Sequence, residues 1–431
     1  MRKTAKRVLT FAAAASAVAL VLSGCAANSG GESASGETIT LTFANADPAA
    51  TWQAAIDGYE KANPDVKIKQ LNIPYAQFTS TINQRMAQAS PEIDLFVVDT
   101  GVIEDFANRG YLADLDDMKE DAIAAAVSPD MVEANMVDGK LLAIETWTTS
   151  QFLFYNKDIL AKAGVEAPSG DPSQPWTWEQ LTAAAQQIKD ADAAQYPFLF
   201  DQFDTYYQLQ PLGVSAGGGN GLDGDKVTYS NDGWQRMLTW YSSLFTDGLA
   251  PRGITNDKTG ALYSEGKAGF LVAGPWGLSM SVEGDLNFGI APEPYFESGE
   301  PATSTDSWSV GVAAKSKQID AAKDFLRYMT IDAEGNELSA SVAGITPTNQ
   351  QAYEKYAEAA DASAGETSAG FGAILEYQLK NNAVHRPHDA GYTIFEPESN
   401  KMFSDIRNGA DPKARAQQAD ETIEAQLKRL K

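Results

Sequence analysis

The side chains on which most enzymes depend are scarce in this sequence. His385 and His388 are the only histidines and Cys25 is the only cysteine among 431 residues. No Gly-x-Ser-x-Gly, Walker or His-Glu-x-x-His pattern occurs. The two histidines have a spacing that a metal site could use, but no carboxylate or thiol cluster lies near them in the sequence, and Arg386 lies between them. The sequence therefore predicts no metal site, no cofactor and no catalytic residue.

Carboxylates, by contrast, are abundant, with 58 Asp and Glu residues. A glycosidase needs two of them as an acid/base pair, and no feature of the sequence isolates such a pair. An extracellular carbohydrate-active enzyme therefore stays an alternative.

Aromatic and planar polar side chains follow many of the predicted strands, where an open α/β sheet usually binds its ligand. Aromatic faces pack on the C–H faces of sugar rings, and Asp, Asn, Gln and Arg can bridge pairs of hydroxyls. Each residue alone has a structural interpretation as a helix cap, a strand end or a core aromatic, but their shared position favours a sugar-binding site. The candidates are Asn45, Asp47, Asp99, Thr149, Gln151, Asp204, Tyr206, Tyr207, Trp276, Asp306, Trp308, Arg386 and His388.

The principal candidate is Trp276. The apolar run from Ala268 to Ala273 ends in Gly274-Pro275-Trp276-Gly277, which predicts a buried strand that stops at a turn. We expect the indole at the strand end, with no helix following to bury it.

The elements that position these residues are predicted from periodicity. Strands at Thr38–Asn45, Val66–Ile73 and Ile93–Val98 alternate with amphipathic helices, which indicates a parallel, helix-covered sheet. The run Leu141–Tyr155, interrupted by polar residues, predicts a crossover between domains that is open to a cleft. A chain of 431 residues exceeds what one core usually supports, so two domains are expected.

Helix starts are marked by three local signals. Thr177 and Gln180 have the spacing of a capping box, Ser230 is a predicted cap, and Asp411 precedes a proline.

The N-terminus has the features of a secretion signal. A basic start precedes the apolar stretch Val8–Leu22, which ends in Leu-Ser-Gly-Cys at Cys25. The sequence resembles the lipobox of bacterial lipoproteins, which implies removal of residues 1–24 and lipidation of Cys25; a plain secretory signal is the alternative. Residues 25–37 are rich in Ser and Gly and predict a flexible tether.

The formal charge of −25 disfavours nucleic acid and anionic lipid as partners.

Several short motifs, in their order and spacing, resemble the extracellular solute-binding proteins of carbohydrate ABC transporters, the family that includes maltose-binding protein. They are the lipobox, Gly110 to Leu115, Tyr155 to Asp158, Gly266 to Ala268 leading into Gly274-Pro275-Trp276, Ser309 to Val312, and Arg386-Pro387.

This resemblance implies an α/β, two-lobed periplasmic-binding-protein-like fold with discontinuous lobes and the ligand between them. The lobes would comprise residues 38–147 with 305–347, and 148–304 with 348–431, with hinge strands near 145–152, 304–310 and 345–350. It also implies a non-enzymatic, monomeric, lipid-anchored extracytoplasmic protein that delivers a mono- or oligosaccharide to the permease subunits of an importer.

The resemblance further implies roles for single residues. Trp276 matches the indole that stacks on the sugar, Arg386 a residue that binds hydroxyls, and the Asp204–Tyr207 loop one that supplies an acid and an aromatic ring. Thr149 stands where maltose-binding protein has a contacting acid, which argues against a maltose-type ligand. Asp306-Ser307-Trp308 replaces two glycines of many relatives, so we expect these bulkier side chains to shape the ligand site. A polyol, a sugar phosphate or a peptide stays an alternative, and phosphate is disfavoured because Arg386 is the main candidate cation.

Overall fold

The computed structural model describes residues 38–306, 308–341, 344–363, 370–389 and 391–429. The predicted signal peptide, the tether and Cys25 lie outside the described residues. In the part that is described, no helix is both long and apolar enough to cross a membrane.

The strands of the described residues are β1 (Ile39–Asn45), β2 (Val66–Asn72), β3 (Leu95–Asp99), β4 (Met136–Val137), β5 (Lys140–Leu141), β6 (Ile144–Glu145), β7 (Trp147–Thr148), β8 (Phe152–Asn156), β9 (Tyr196–Phe200), β10 (Leu222–Asp223), β11 (Lys226–Val227), β12 (Ala268–Ala273), β13 (Phe288–Pro292), β14 (Thr303–Ser304), β15 (Trp308–Val312), β16 (Thr346–Pro347) and β17 (Ala383–Val384).

The helices of the described residues are α1 (Ala49–Ala62), α2 (Tyr75–Met86), α3 (Ile103–Asn108), α4 (Lys119–Ala125), α5 (Pro129–Glu133), α6 (Lys157–Ala163), α7 (Trp178–Asp190), α8 (Tyr206–Ser215), α9 (Asp232–Thr246), α10 (Asn256–Ser264), α11 (Trp276–Glu283), α12 (Ile319–Thr330), α13 (Ala333–Ser341), α14 (Gln350–Ser363), α15 (Phe371–Asn381), α16 (Tyr392–Arg407) and α17 (Pro412–Leu427), with 3-10 turns at Thr100–Val102 and Asp116–Met118.

The first lobe is built on a five-stranded sheet in the order β2-β1-β3-β15-β6. β1 pairs in parallel with β2 and β3, as the alternation of strands and helices predicts, whereas β15 runs antiparallel to β3. Because β15 comes from the second half of the chain, this lobe is discontinuous in sequence.

The second lobe is built on a four-stranded sheet in the order β13-β8-β12-β9. Every residue of β8, β12 and β13 is buried, so these strands read as unbroken apolar runs instead of alternating ones. Helices α16 and α17 pack on α9 in the same lobe.

Paired segments connect the two sheets. β7 pairs with β16, and β14 pairs with β17. The side chains of Thr148–Gln151 are almost entirely buried. The segment therefore crosses from one sheet to the other, as predicted, but it is mostly closed over, and of its polar residues Thr149 lines a cavity.

Two of the three predicted helix caps are confirmed. Thr177 forms the full capping box with Gln180, and the Asp411 carboxylate accepts from the backbone N–H of Ala414. The prediction for Ser230 is wrong by one residue, because the Asn231 side chain accepts from the N–H at the third position of α9.

The expectation that no helix follows Trp276 is also wrong. Pro275 has φ −55° and ψ −30°, already helical, and α11 begins at Trp276. Proline is favoured at a helix start because its fixed φ suits the first turn and its missing N–H is not needed there. Trp276 nevertheless stays half-buried at the first position of that helix.

Candidate functional site

A cavity of about 450 Å³ lies between the two lobes. Its lining residues lie at the ends of strands and at the starts of helices in both lobes. At these positions the backbone turns, so polar side chains from several elements can lie close together. The lining residues are Asp47, Asp99, Trp147, Thr149, Asp201, Gln202, Thr205, Tyr207, Asn256, Trp276, Asp306, Trp308, Ile345 and Arg386.

Eight of the thirteen candidates from the sequence line this cavity, namely Asp47, Asp99, Thr149, Tyr207, Trp276, Asp306, Trp308 and Arg386. The other five, Asn45, Gln151, Asp204, Tyr206 and His388, are not among its lining residues.

Those five residues have structural partners or lie elsewhere. Asn45 is fully buried and bridges β1 and β2 through hydrogen bonds with Gln70 and Asn72. Asp204 forms an ion pair with Arg407 at 2.9 Å.

Tyr206 points the opposite way from Tyr207, because neighbouring residues of a helix face different sides. It is fully buried, and its hydroxyl donates to the carbonyl of Asn220. Gln151 does not line the cavity but donates a hydrogen bond to Tyr207, which does. His388 lines a separate cleft.

Three residues hold the indole of Trp276 in the cavity wall. Its Nε1–H donates to Asp201 Oδ2 at 2.9 Å. A Cβ at Gly274 would lie 2.4 Å from Trp276 Cη2, so glycine is needed for the ring to lie against the backbone. Pro275 then starts the helix that carries the tryptophan. The Gly-Pro-Trp motif thus positions one aromatic face.

Arg386 ties the two lobes together at the cavity. Its Nη1 lies 2.8 Å from Asp99 Oδ2, at the end of β3, and its Nε lies 3.5 Å from Asp306 Oδ2. The guanidinium also lies 5.6 Å from the centre of the Tyr207 ring. Since this cation is already paired, it neutralises part of the negative charge of the lining.

A chain of hydrogen bonds fixes Tyr207 and Thr149. Gln151 Nε2 donates to the Tyr207 hydroxyl at 2.9 Å, which donates to Thr149 Oγ1 at 2.7 Å. Thr149 in turn donates to the Asp306 carbonyl at 3.2 Å. Gln151 therefore positions a cavity residue although it does not line the cavity.

Comparison with known proteins identifies the family. Residues 45–335 match the family described as bacterial extracellular solute-binding protein. The chain belongs to this family.

This solute-binding protein is 24% identical to the galactooligosaccharide-binding protein of Bacillus subtilis (strain 168), over 99% of the chain and 98% of that protein. It is 24% identical to the mannitol-binding protein of Pseudomonas aeruginosa, over 75% of the chain and 77% of that protein. Among solved structures, the ABC substrate-binding protein of Listeria monocytogenes in complex with cycloalternan superposes with a TM-score of 0.79 at 20% identity, covering 90% and 99% of the two chains. The two-lobed fold inferred from the resemblance is confirmed.

The interlobe cavity of the solute-binding protein has an acidic lining. Burial raises the pKa of Asp201 to about 6, although the hydrogen bonds from Trp276 and Thr259 oppose it. Burial likewise raises the pKa of Asp47 to about 6, against the hydrogen bond from Trp52. Among the described residues, neither carboxylate forms an ion pair with a cationic side chain.

Asp306 shows the opposite effect. Burial alone would raise its pKa, but the hydrogen bond from His385 and the charges of His385 and Arg386 outweigh that cost and lower the pKa to about 2. These contacts with His385 and Arg386 therefore favour the ionised form of the Asp306 carboxylate.

The thirteen candidates omit six lining residues, Trp147, Asp201, Gln202, Thr205, Asn256 and Ile345. Asp201 directly follows β9, so the strand-end criterion that selected Asp99 could have found it. Asn256 begins α10 and Ile345 precedes β16, and neither position carries a local signal. Trp147 also lines the cavity but is fully buried and stacks on Trp52 with ring centres 4.5 Å apart.

Proposed function

We propose that this solute-binding protein captures a mono- or oligosaccharide in the interlobe cavity and delivers it unaltered to the permease of an ABC importer. The observation that carries the proposal is the half-buried indole of Trp276, held by Gly274 and Asp201 in a cavity lined with Asp, Asn, Gln and Arg side chains. Flat aromatic faces and planar polar groups are what a pyranose ring requires. The galactooligosaccharide-binding relative is consistent with this ligand class.

The expected affinity follows from few contacts. One aromatic stack contributes about 0.5–1.5 kcal/mol beyond buried area, and each hydrogen bond to a charged group about 1.5–3 kcal/mol. Three such hydrogen bonds with one stack approach the roughly 8 kcal/mol of a micromolar complex.

We also propose the lobe boundaries that the resemblance implies, residues 38–147 with 305–347 and 148–304 with 348–431. The hydrogen bonds between the crossing segments support them, since the N–H of Thr149 donates to the Thr305 carbonyl and the N–H of Gln151 to Thr303 Oγ1. Closure about these segments would enclose the sugar.

The proposed protein is a monomer without catalytic activity, lipidated at Cys25 and retained outside the cytoplasmic membrane. Its N-terminal sequence supports the lipid anchor, and membership of an extracellular solute-binding family supports the compartment.

A thermal-unfolding screen of the purified protein against a glycan library tests the proposal. A ligand that binds only the folded state raises the unfolding midpoint, and isothermal titration then measures its affinity. The library contains galactooligosaccharides, maltodextrins and monosaccharides, and chromatography of each mixture checks for cleaved products. No shift with any sugar refutes the ligand class, and released products refute the binding-only role.

A polyol is the second candidate ligand, because a mannitol-binding protein is among the relatives. Mannitol and sorbitol in the same screen decide between the two, since a polyol presents hydroxyls but no pyranose face to Trp276. Sugar phosphates are disfavoured, because four aspartates and a single arginine line the cavity.

A further inference from the structure

The two histidines of the chain converge on a carboxylate that lies far away in sequence. Asp306 is 79 residues from His385, yet Asp306 Oδ1 lies 2.6 Å from His385 Nδ1. Nitrogen or oxygen atoms of Asp306, His385 and His388 all lie within 4.8 Å of one another. The reason for rejecting a metal site from the sequence, the lack of a neighbouring carboxylate, therefore does not hold in three dimensions.

We propose that Asp306, His385 and His388 bind a divalent transition-metal ion of the Zn²⁺ class. Two imidazoles and one carboxylate are a donor set that suits Zn²⁺, Co²⁺ or Ni²⁺ better than Mg²⁺ or Ca²⁺, which prefer oxygen ligands alone. The proposal does not rest on the sugar function, although Asp306 also lines the interlobe cavity.

A metal ion would replace the hydrogen bond between Asp306 Oδ1 and His385 Nδ1 and release its proton, and the other hydrogen bonds around these residues leave the ligand atoms available. The backbone N–H of Arg386 donates to Asp306 Oδ2 at 2.6 Å, which orients the carboxylate and leaves Oδ1 facing His385. The Nε2 atom of His388 is buried and has no hydrogen-bond partner among the described residues. An unpartnered buried nitrogen is costly, and a metal ion would satisfy it.

The separation of two of these atoms is close to what a metal requires, and a nitrogen of His388 lies within 4.8 Å of the ligand atoms of the other two residues. With bonds of about 2.0–2.1 Å, two ligands of a tetrahedral ion lie about 3.3 Å apart. The Asp306 Oδ1–His385 Nδ1 distance must therefore grow by less than an ångström, and the half-exposed ring of His385 can supply that movement.

An acidic cleft leads to the site. His388 lines a cleft of about 260 Å³ together with Glu104 and Asp138. Burial raises the pKa of Glu104, and the neighbouring charges of Asp389 and Asp138 add to that effect. Such a cleft concentrates cations.

Arg386 opposes a cation here, because its guanidinium lies 3.5 Å from Asp306 Oδ2. Asp99, at 2.8 Å from the guanidinium, offsets that charge. The positive charge of the Arg386 guanidinium is therefore offset by Asp99, and Asp306 Oδ1 is not needed for that purpose.

The test uses the full chain without a histidine tag and with Cys25→Ser, so that no other thiol or imidazole competes for metal. Titration calorimetry with ZnCl₂ should give one ion per chain, and His388→Gln should weaken binding at least about tenfold. Asp130→Asn is the matched control, since the Asp130 carboxylate lies 3.9 Å from His385 Nε2 and is not a proposed ligand. Its affinity should change less than twofold.

A second measurement does not depend on a variant that folds. In the chain labelled at histidine, Zn²⁺ should shift the resonances of both imidazoles, which are the only two present. Unchanged resonances, or equal affinities of His388→Gln and Asp130→Asn, overturn the proposal. Binding with a stoichiometry above one that Asp130→Asn reduces as much as His388→Gln means adsorption to surface carboxylates and also overturns it.

Discussion

A single methyl group at Gly274 should displace the indole of Trp276. In Gly274→Ala the added Cβ would lie 2.4 Å from Cη2 and 2.5 Å from Cζ3 of that ring. Carbon atoms prefer separations of about 3.5–4.0 Å, so the ring must move by about 1 Å or more. The backbone of Gly274 does not have a positive φ, so the alanine itself is not strained. The substitution should therefore act by displacing the Trp276 ring and not by straining the backbone.

The expected loss of affinity follows from the stacking contact. Losing about 0.5–1.5 kcal/mol weakens sugar binding by about 2- to 13-fold. Movement of the ring also stretches the 2.9 Å hydrogen bond to Asp201, which should lower the free energy of unfolding by about 1–3 kcal/mol. Isothermal titration with the sugar found in the screen, at a temperature where every variant is folded, measures the first effect.

Gly170→Ala is the matched control, because its Cβ would meet only the Ile290 carbonyl at 3.8 Å. Trp276→Phe separates the ring face from the N–H group, since it keeps an aromatic face and loses the donor to Asp201. Equal sugar affinities for Gly274→Ala and Gly170→Ala would refute the assignment of the Trp276 face to the ligand.

Three further predictions concern stability, each measured by urea denaturation. Because burial raises the pKa of Asp201 to about 6, against about 3.9 unfolded, the folded state binds more protons between these values and its unfolding free energy falls as pH rises from about 4 to 6. Asp201→Asn should remove about 2 kcal/mol of that decline, and an unchanged pH profile would contradict the raised pKa. Arg386→Met leaves the Asp99 carboxylate without its cation and should cost about 3–5 kcal/mol, more than Arg386→Lys; equal losses would argue against the ion pair. Thr303→Val removes the hydroxyl that accepts from the N–H of Gln151 at 2.8 Å and should cost about 1–3 kcal/mol, whereas Thr303→Ser should cost less.

Local sequence patterns predicted those strands and helix caps that depend on residues close together in the chain. The strands that became β1, β2 and β3, the capping box at Thr177 and the Asp411 cap depend on side-chain periodicity and on contacts within four residues. The error at Ser230 arose because two adjacent residues both make good caps. The missed helix after Pro275 arose because proline both breaks a helix and begins one.

The prediction of site residues was limited by contacts between distant parts of the chain. Tyr206 and Tyr207 have the same residue type and adjacent positions, and only the orientation of α8 sends one ring to the core and the other to the cavity. Asp204 has the composition of a ligand contact, but Arg407, 203 residues away, pairs with it. No pattern within the loop reveals that partner.

The sequence by itself determined the fold class, the strand-end positions of most cavity residues and the aromatic and carboxylate chemistry they share. Those properties follow from residue type and local periodicity. Only the tertiary structure decided that Gly274 and Asp201 hold Trp276, that Arg386 joins Asp99 to Asp306, and that Asp306 meets the two histidines. The physical reason is that these contacts join discontinuous segments, whose approach is set by the packing of two whole lobes and not by any interaction between neighbours in the chain.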